Sequence, residues 1–196
     1  MTIILGGPGT TGLSTNDMAA AVSDAGPVLR IDGAGALSEG ETARLQAEID
    51  AALGLAEQFI GRVLIDRAFT ARLWAGGEWQ RLGIVPVSAI NSVIGIAEDG
   101  TQAILPVEDY AIDIAPDGEG WVRLIRGANL IRFDVSGRAG MAAQWAMLAP
   151  TIAQGIVRLA TYRFLERDKE GAVPASVTAL WRPWRRLAST GAGARV

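Results

Sequence analysis

The segment whose residue types and spacing come nearest to chemistry is Gly7-Pro8-Gly9-Thr10-Thr11-Gly12, directly after the apolar Ile3-Ile4-Leu5. A strand that feeds a glycine-bounded loop is the arrangement in which backbone N–H groups cradle phosphates. Such a loop then needs a lysine for the β- and γ-phosphates and a Ser or Thr for magnesium. Leu13 stands where the lysine would be, ahead of Ser14, and an apolar side chain cannot supply that charge. No long amphipathic helix is expected directly behind it, and no apolar strand ends in a magnesium-binding Asp. The segment therefore reads as a flexible or partner-ordered arm, with nucleotide binding as the competing reading.

A second concentration of chemistry-bearing residues is Glu108, Asp109, Asp113, Asp117 and Glu119. Calcium in an EF-hand needs a ladder of alternating acidic ligands closed by a Glu, and the run from Asp113 to Gly118 lacks both. A glycosidase pair needs two carboxylates held across a sugar cleft, which sequence spacing cannot establish. Solvated acids of strands and turns are the better reading.

Cysteine and histidine are both absent. That leaves no disulfide, no thiolate nucleophile, no imidazole base and no site requiring sulfur or nitrogen ligands. The single lysine, Lys169, lies in the charged string Glu166-Arg167-Asp168-Lys169-Glu170, which reads as a solvated helix end. No catalytic residue, cofactor or metal is assigned.

A third group is Arg158, Arg163, Arg167, Arg182, Arg185 and Arg186, interleaved with Tyr162, Phe164, Trp181 and Trp184. Arginines among aromatics could hold a phosphate backbone and stack bases. The formal net charge of −3 weighs against nucleic acid as the main partner. Two Trp and three Arg within six residues is the composition of interface anchors, which makes Trp181, Arg182, Trp184, Arg185 and Arg186 a candidate docking segment. The other reading of these Trp residues is that they cap the subunit's own core. Acids outnumber bases eight to two over residues 1–60, whereas bases outnumber acids eight to three over residues 151–196. Opposite charge at the two ends favours head-to-tail contact between copies.

The elements that must position these groups follow from periodicity. Ser38 and Glu41 form a capping-box pair, and Leu45, Ile49, Ala52, Leu53, Ala56 and Ile60 recur at helical spacing up to Gly61, which predicts a helix over 38–61, roughly 35 Å long. The N-terminal arm, 1–37, has little apolar material to pack and holds a short helix near 17–24 before the breaker Gly26-Pro27. From 63 to 135 the period shifts toward two, with turn signals at Gly76-Gly77, Asp99-Gly100 and Asp117-Gly118, predicting about six short antiparallel strands. Helical material returns with a short helix at 141–148, a Pro150-led helix over 150–170 and a last short helix over 174–181. The expected class is α+β: antiparallel helices with an inserted antiparallel β region, in one domain of residues 38–188 (helical part 38–61 and 141–188, β insertion 63–135), with 189–196 a flexible tail. No run is long and apolar enough to cross a bilayer, and residues 1–5 do not read as a signal peptide, so a soluble protein synthesised in a cytoplasm is expected.

Several short signatures in this order resemble the head-tail connector, or adaptor, proteins of tailed phages. They are Glu57-Gln58-Phe59-Ile60-Gly61-Arg62, Ile84-Val85-Pro86-Val87 with Ile90 and Val93, Asp109-Tyr110-Ala111-Ile112-Asp113, Pro150-Thr151-Ile152-Ala153-Gln154-Gly155-Ile156, and Val177-Thr178-Ala179-Leu180-Trp181-Arg182-Pro183-Trp184-Arg185. The version that looks most similar is that of gene transfer agents, domesticated phage-like particles that package cellular DNA. The resemblance spans 28–187. It departs from the family at Trp181 and Trp184, where relatives often carry Leu or Tyr. It implies a structural, non-catalytic subunit of the particle neck, forming a ring, usually of twelve copies. The ring would seat beneath the portal and join it to the stopper and tail while DNA passes through without sequence-specific binding. It implies no cofactor and no membrane.

Overall fold

Ser38 and Glu41 open the longest helix by satisfying each other's backbone: Ser38 Oγ accepts from the Glu41 amide at 3.3 Å and Glu41 Oε2 accepts from the Ser38 amide at 2.9 Å. The computed structural model describes residues 1–5, 11–29, 37–127, 129–166 and 172–186. Four α-helices occur among them: α1 (Thr15–Leu29), α2 (Glu39–Ile60), α3 (Pro150–Leu165) and α4 (Ala175–Trp181). Helix α2 ends at Gly61, whose φ of 73° lies in the left-handed region that suits glycine, and whose amide closes the last turn on the Glu57 carbonyl at 2.8 Å. The buried stripe of α2 is the set that its spacing predicts: Leu45, Ile49, Ala52, Leu53, Ala56 and Ile60. Against it pack Ile152, Ile156, Leu159 and Ala160 of α3, with Val177 and Trp181 of α4 completing the same core.

The chain divides into two compact units. The helical unit takes residues 11–65 and 141–186. The β unit takes β1 (Thr2–Leu5) and residues 66–140, which hold β2 (Arg67–Trp74), β3 (Gln80–Arg81), β4 (Val87–Ala97), β5 (Gln102–Ile104), β6 (Tyr110–Ile114), β7 (Gly120–Leu124) and β8 (Leu130–Ala139). Five strands form one sheet in the order β1-β2-β8-β4-β5, three form another in the order β3-β7-β6, and every pairing is antiparallel. Alternation fixes the register of the large sheet. Phe69, Ala71 and Leu73 of β2 stand opposite Gly137, Val135 and Phe133 of β8, all buried, while Ala68, Arg72 and Trp74 are exposed. The class is α+β, as expected.

Several boundaries differ from the sequence reading. Helix α1 is 15 residues long and passes through Gly26-Pro27. Pro27 lies only two residues from the helix end, where a lost N–H costs one bond, and Gly26 carries no Cβ to clash with the proline ring. The helix is retained because Ala21 and Ala25 are fully buried in the helical core, so the N-terminal segment does pack. Ser14 and Asp17 start it with a second reciprocal cap, Ser14 amide to Asp17 Oδ2 at 3.1 Å and Asp17 amide to Ser14 Oγ at 3.2 Å. Residues 63–65 do not begin the β region. Leu64 and Ile65 are buried in the helical core, and Ile65 bridges to Ala142, so the region starts at Arg67 and runs on to Ala139. Its strands number seven because β5 follows the Asp99-Gly100 turn, and β1 adds an edge from the N-terminus. In place of a helix over 141–148 there is one 3-10 turn, Trp145–Met147. Leu165 is the last helical residue of α3; residues 167–170 of its expected end, Gly7 to Thr10 of the glycine loop, and the tail 189–196 lie outside the described residues.

Candidate interaction surface

Gly155 decides where the C-terminal segment goes. It is buried on α3, and a Cβ there would run into the Trp181 indole, 2.9 Å from both Cδ1 and Cε2. With only hydrogen in that place, the indole comes up against the helix with its nitrogen edge, donates its N–H to the Ile152 carbonyl at 3.3 Å and meets the Phe59 ring at 6.0 Å between centroids. Trp181 is fully buried. It is thus an internal anchor of the subunit, the core-capping reading, and it leaves the set of residues able to touch a partner.

The rest of the candidate segment is turned outward. A 3-10 turn, Arg182–Trp184, follows α4, and its end is fastened twice: Trp184 Nε1 donates to Thr151 Oγ1 at 3.0 Å and the Arg186 amide donates to the Ile60 carbonyl at 2.8 Å. The Arg185 guanidinium lies 5.7 Å from the Phe59 ring centroid. Arg182, Trp184 and Arg185 are exposed and Arg186 is half-buried. The backbone of this projection is held at both ends, with Pro183 fixing one φ inside it, so little conformational freedom remains to be lost on binding. Arg158 of α3 is exposed as well, whereas Arg44 is folded in, donating to the Phe164 carbonyl with its guanidinium 4.1 Å above the Phe164 ring.

Most of the acids in the first sixty residues accept hydrogen bonds that fasten the fold. Asp17 Oδ1 accepts from the Trp145 amide at 2.7 Å and Asp24 Oδ2 from the Trp145 indole N–H at 2.8 Å, so one buried tryptophan is gripped by two acids of α1. Glu41 caps α2, Asp50 accepts from the Thr11 hydroxyl, and Glu57 Oε1 accepts from the Leu64 amide at 2.8 Å. Burial pulls the Asp17 pKa upward, but hydrogen bonds from the Ser14 hydroxyl, the Trp145 amide and the Ser14 amide outweigh it and leave the carboxyl below its ordinary value. The donors are amides, an indole and a hydroxyl, which orient these carboxylates without cancelling their charge, so the acid excess of the N-terminal segment persists in the fold.

The second acidic group is dispersed. Asp109 pairs with Arg126 at 3.5 Å, Glu119 with Arg81 at 3.6 Å, and Asp117 Oδ1 accepts from the Glu119 amide at 3.1 Å in the turn before β7. Among the described residues, no three Asp, Glu, His or Cys side chains stand close enough to hold a metal ion, and no helix is long and apolar enough to cross a membrane. Of the glycine loop, Thr11 and Gly12 are described; Thr11 is buried.

Sequence reasoning passed over three Arg–Trp stacks in the β unit: Arg132 on Trp74 at 4.4 Å, Arg123 on Trp79 at 4.9 Å and Arg81 on Trp121 at 4.7 Å. Strand register makes two of them, since Trp74 stands opposite Arg132 and Arg81 opposite Trp121. The Trp and Arg residues were visible along the chain, but their partners were not.

No protein-family model and no curated protein matches this chain. Solved structures do. The fold is similar to that of a chain in the "Neck of empty GTA particle computed with C6 symmetry", at a TM-score of 0.73 and 20% identity, covering 97% of this chain and 98% of that one. It is similar at a TM-score of 0.70 and 24% identity to a chain in the "Virion of native gene transfer agent (GTA) particle", with 97% and 98% covered. A third, from the "Neck of native GTA particle computed with C12 symmetry", gives 0.67 and 23%, with 96% and 98% covered. The chain thus has, over nearly its whole length, the fold of subunits found in gene transfer agent particles.

Proposed function

We propose that this chain is a structural subunit of the neck of a phage-like particle of the gene transfer agent type, a head-tail connector with no catalytic role. The observation that carries the reading is the end-to-end match of both units to chains of particle necks, at 97% and 96% of this chain. The ordered signatures of the connector family point the same way. In this reading copies form a ring of twelve beneath the portal, join it to the stopper and tail proteins, and leave a channel through which DNA passes without being read. Six- and twelve-fold symmetry in the similar structures supports a ring. The projection formed by Arg182, Trp184, Arg185 and Arg186 docks on the portal, because a pre-ordered Trp among arginines is suited to fill a pocket and pair with acids.

Electron microscopy of the purified chain mixed with portal rings tests this. Rings of the chain seated on one end of the portal are expected; portals that stay bare at micromolar subunit would reject it. Two rival functions have their own readouts. A nucleotide-binding loop at Gly7–Gly12 predicts heat on titration with ATP or GTP, and the connector predicts none. A DNA-binding role for the C-terminal arginines predicts affinity that falls steeply with salt, and the connector predicts no tight binding by the isolated subunit.

A further inference from the structure

The two sheets treat their edges differently. Each edge of the three-stranded sheet carries a charge, Arg81 in β3 and Asp113 in β6. Charge is a common device that stops an edge strand from pairing with another chain. The five-stranded sheet ends in β1, Thr2-Ile3-Ile4-Leu5, and β5, Gln102-Ala103-Ile104, and neither strand contains a charged residue or a proline. Among the described residues each of these strands has a single paired neighbour, β2 and β4 respectively, so each leaves one row of backbone N–H and C=O groups facing outward. Their side chains are apolar and open: Ile4 is 64% exposed and Ile104 75% exposed. Unblocked, uncharged edges that present isoleucine are a template for strand addition.

We propose that these two edges are one interface seen from both sides: β5 of one copy pairs with β1 of the next, continuing the large sheet from subunit to subunit. The inference rests on the ring reading above and names the contact that closes the ring. The occupant is a second copy of this chain for a geometric reason. The two edges are different surfaces at opposite ends of one sheet, so pairing them is head-to-tail, and head-to-tail contacts give a ring when the rotation from copy to copy closes, and an open filament when it does not. The rotational symmetry of the similar particle structures requires this kind of contact, in which the two faces differ. Strands of four and three residues bury far less than the roughly 800 Å² per partner of a stable pair. Free subunits therefore associate weakly, and the contact is made when copies are held side by side, where effective concentration is high.

Because the native chain has no cysteine, thiol cross-linking is clean. Ile4→Cys, Ile104→Cys and the double variant are mixed with portal rings, imaged, and treated with a short bismaleimide. The expected result is rings by microscopy with a ladder of covalent multimers from the double variant only. Rings without a ladder would overturn edge pairing and leave the connector reading standing. Absence of both would overturn the two together. Dimers from Ile4→Cys alone, formed as efficiently as the ladder, would also overturn the proposal, because β1 would then pair with itself. A second pair, Ile4→Lys and Ile104→Lys, changes exposed positions and is expected to keep the native melting temperature while abolishing rings; normal rings from either would count against the pairing.

Discussion

The Trp181 indole rests on the bare Cα of Gly155, with its N–H on the carbonyl of Ile152 one turn earlier. This contact sorts two neighbouring tryptophans into different roles. Trp181→Ala empties a filled core site and is expected to cost about 3–5 kcal/mol of stability. Trp184→Ala removes one exposed hydrogen bond and should cost about 1 kcal/mol or less. Urea denaturation of both variants measures the difference. Gly155→Ala forces the indole off the helix and should lose about 1–3 kcal/mol.

Portal docking should follow the opposite order in folded protein. Trp184→Ala combined with Arg185→Ala is expected to lower the melting temperature by no more than about 2–4 °C and to weaken binding to portal rings at least tenfold, read by sedimentation of the mixture. Undiminished binding would take these residues out of the docking surface.

Asp17 predicts an acid sensitivity. Its carboxyl is held below the ordinary value near 3.8 by hydrogen bonds to the charged form that outweigh burial. The unfolded chain then binds its proton first. The stabilisation is present in full above that ordinary value and is lost as pH falls through the lower folded-state value. Denaturation midpoints between pH 6 and pH 2.5 should fall at the acid end, and Asp17→Asn should show a shallower fall from a lower starting stability, with about 1–3 kcal/mol lost at pH 7.

Gly61→Ala isolates a conformational cost. A Cβ there would meet Arg186 Cβ at an ordinary 3.6 Å, so space is available, but φ is 73°. A loss of about 1–2 kcal/mol is expected from the backbone alone. Gly137→Ala differs in kind. It has no positive φ, yet its Cβ would run into the Ala89 backbone carbonyl of β4 and press on the Phe69 ring at 2.8 Å, so thermal melting should show an overpacking loss of about 3 kcal/mol or more.

Local chemistry was readable from residue order. The α2 stripe, its Ser38–Glu41 cap and Gly61 stop, the Pro150 start of α3 and the alternation of β2 depend on neighbours within a few residues, and each appears where spacing places it. Helix α1 was underestimated because Pro27 is a strong local signal, whereas burial of Ala21 and Ala25 against distant helices is not a local property. The docking segment divides the same way. Its composition marked it as an anchor, but composition could not say that Gly155 would take Trp181 inside and leave Trp184 outside.

Residue types alone determined that this polypeptide has no thiol, no imidazole and no lysine beside its glycine loop, along with the α+β class and the run of its helices and most strands. Tertiary structure alone decided that Asp17 and Asp24 grip Trp145 and that Asp50 binds Thr11, that Arg and Trp stack across strands, and which strands are left as edges. The physical reason is range. Caps, turns and periodicity act over one to four residues, whereas long-range hydrogen bonds, stacking and edge exposure depend on which segments meet after tens of residues of intervening chain.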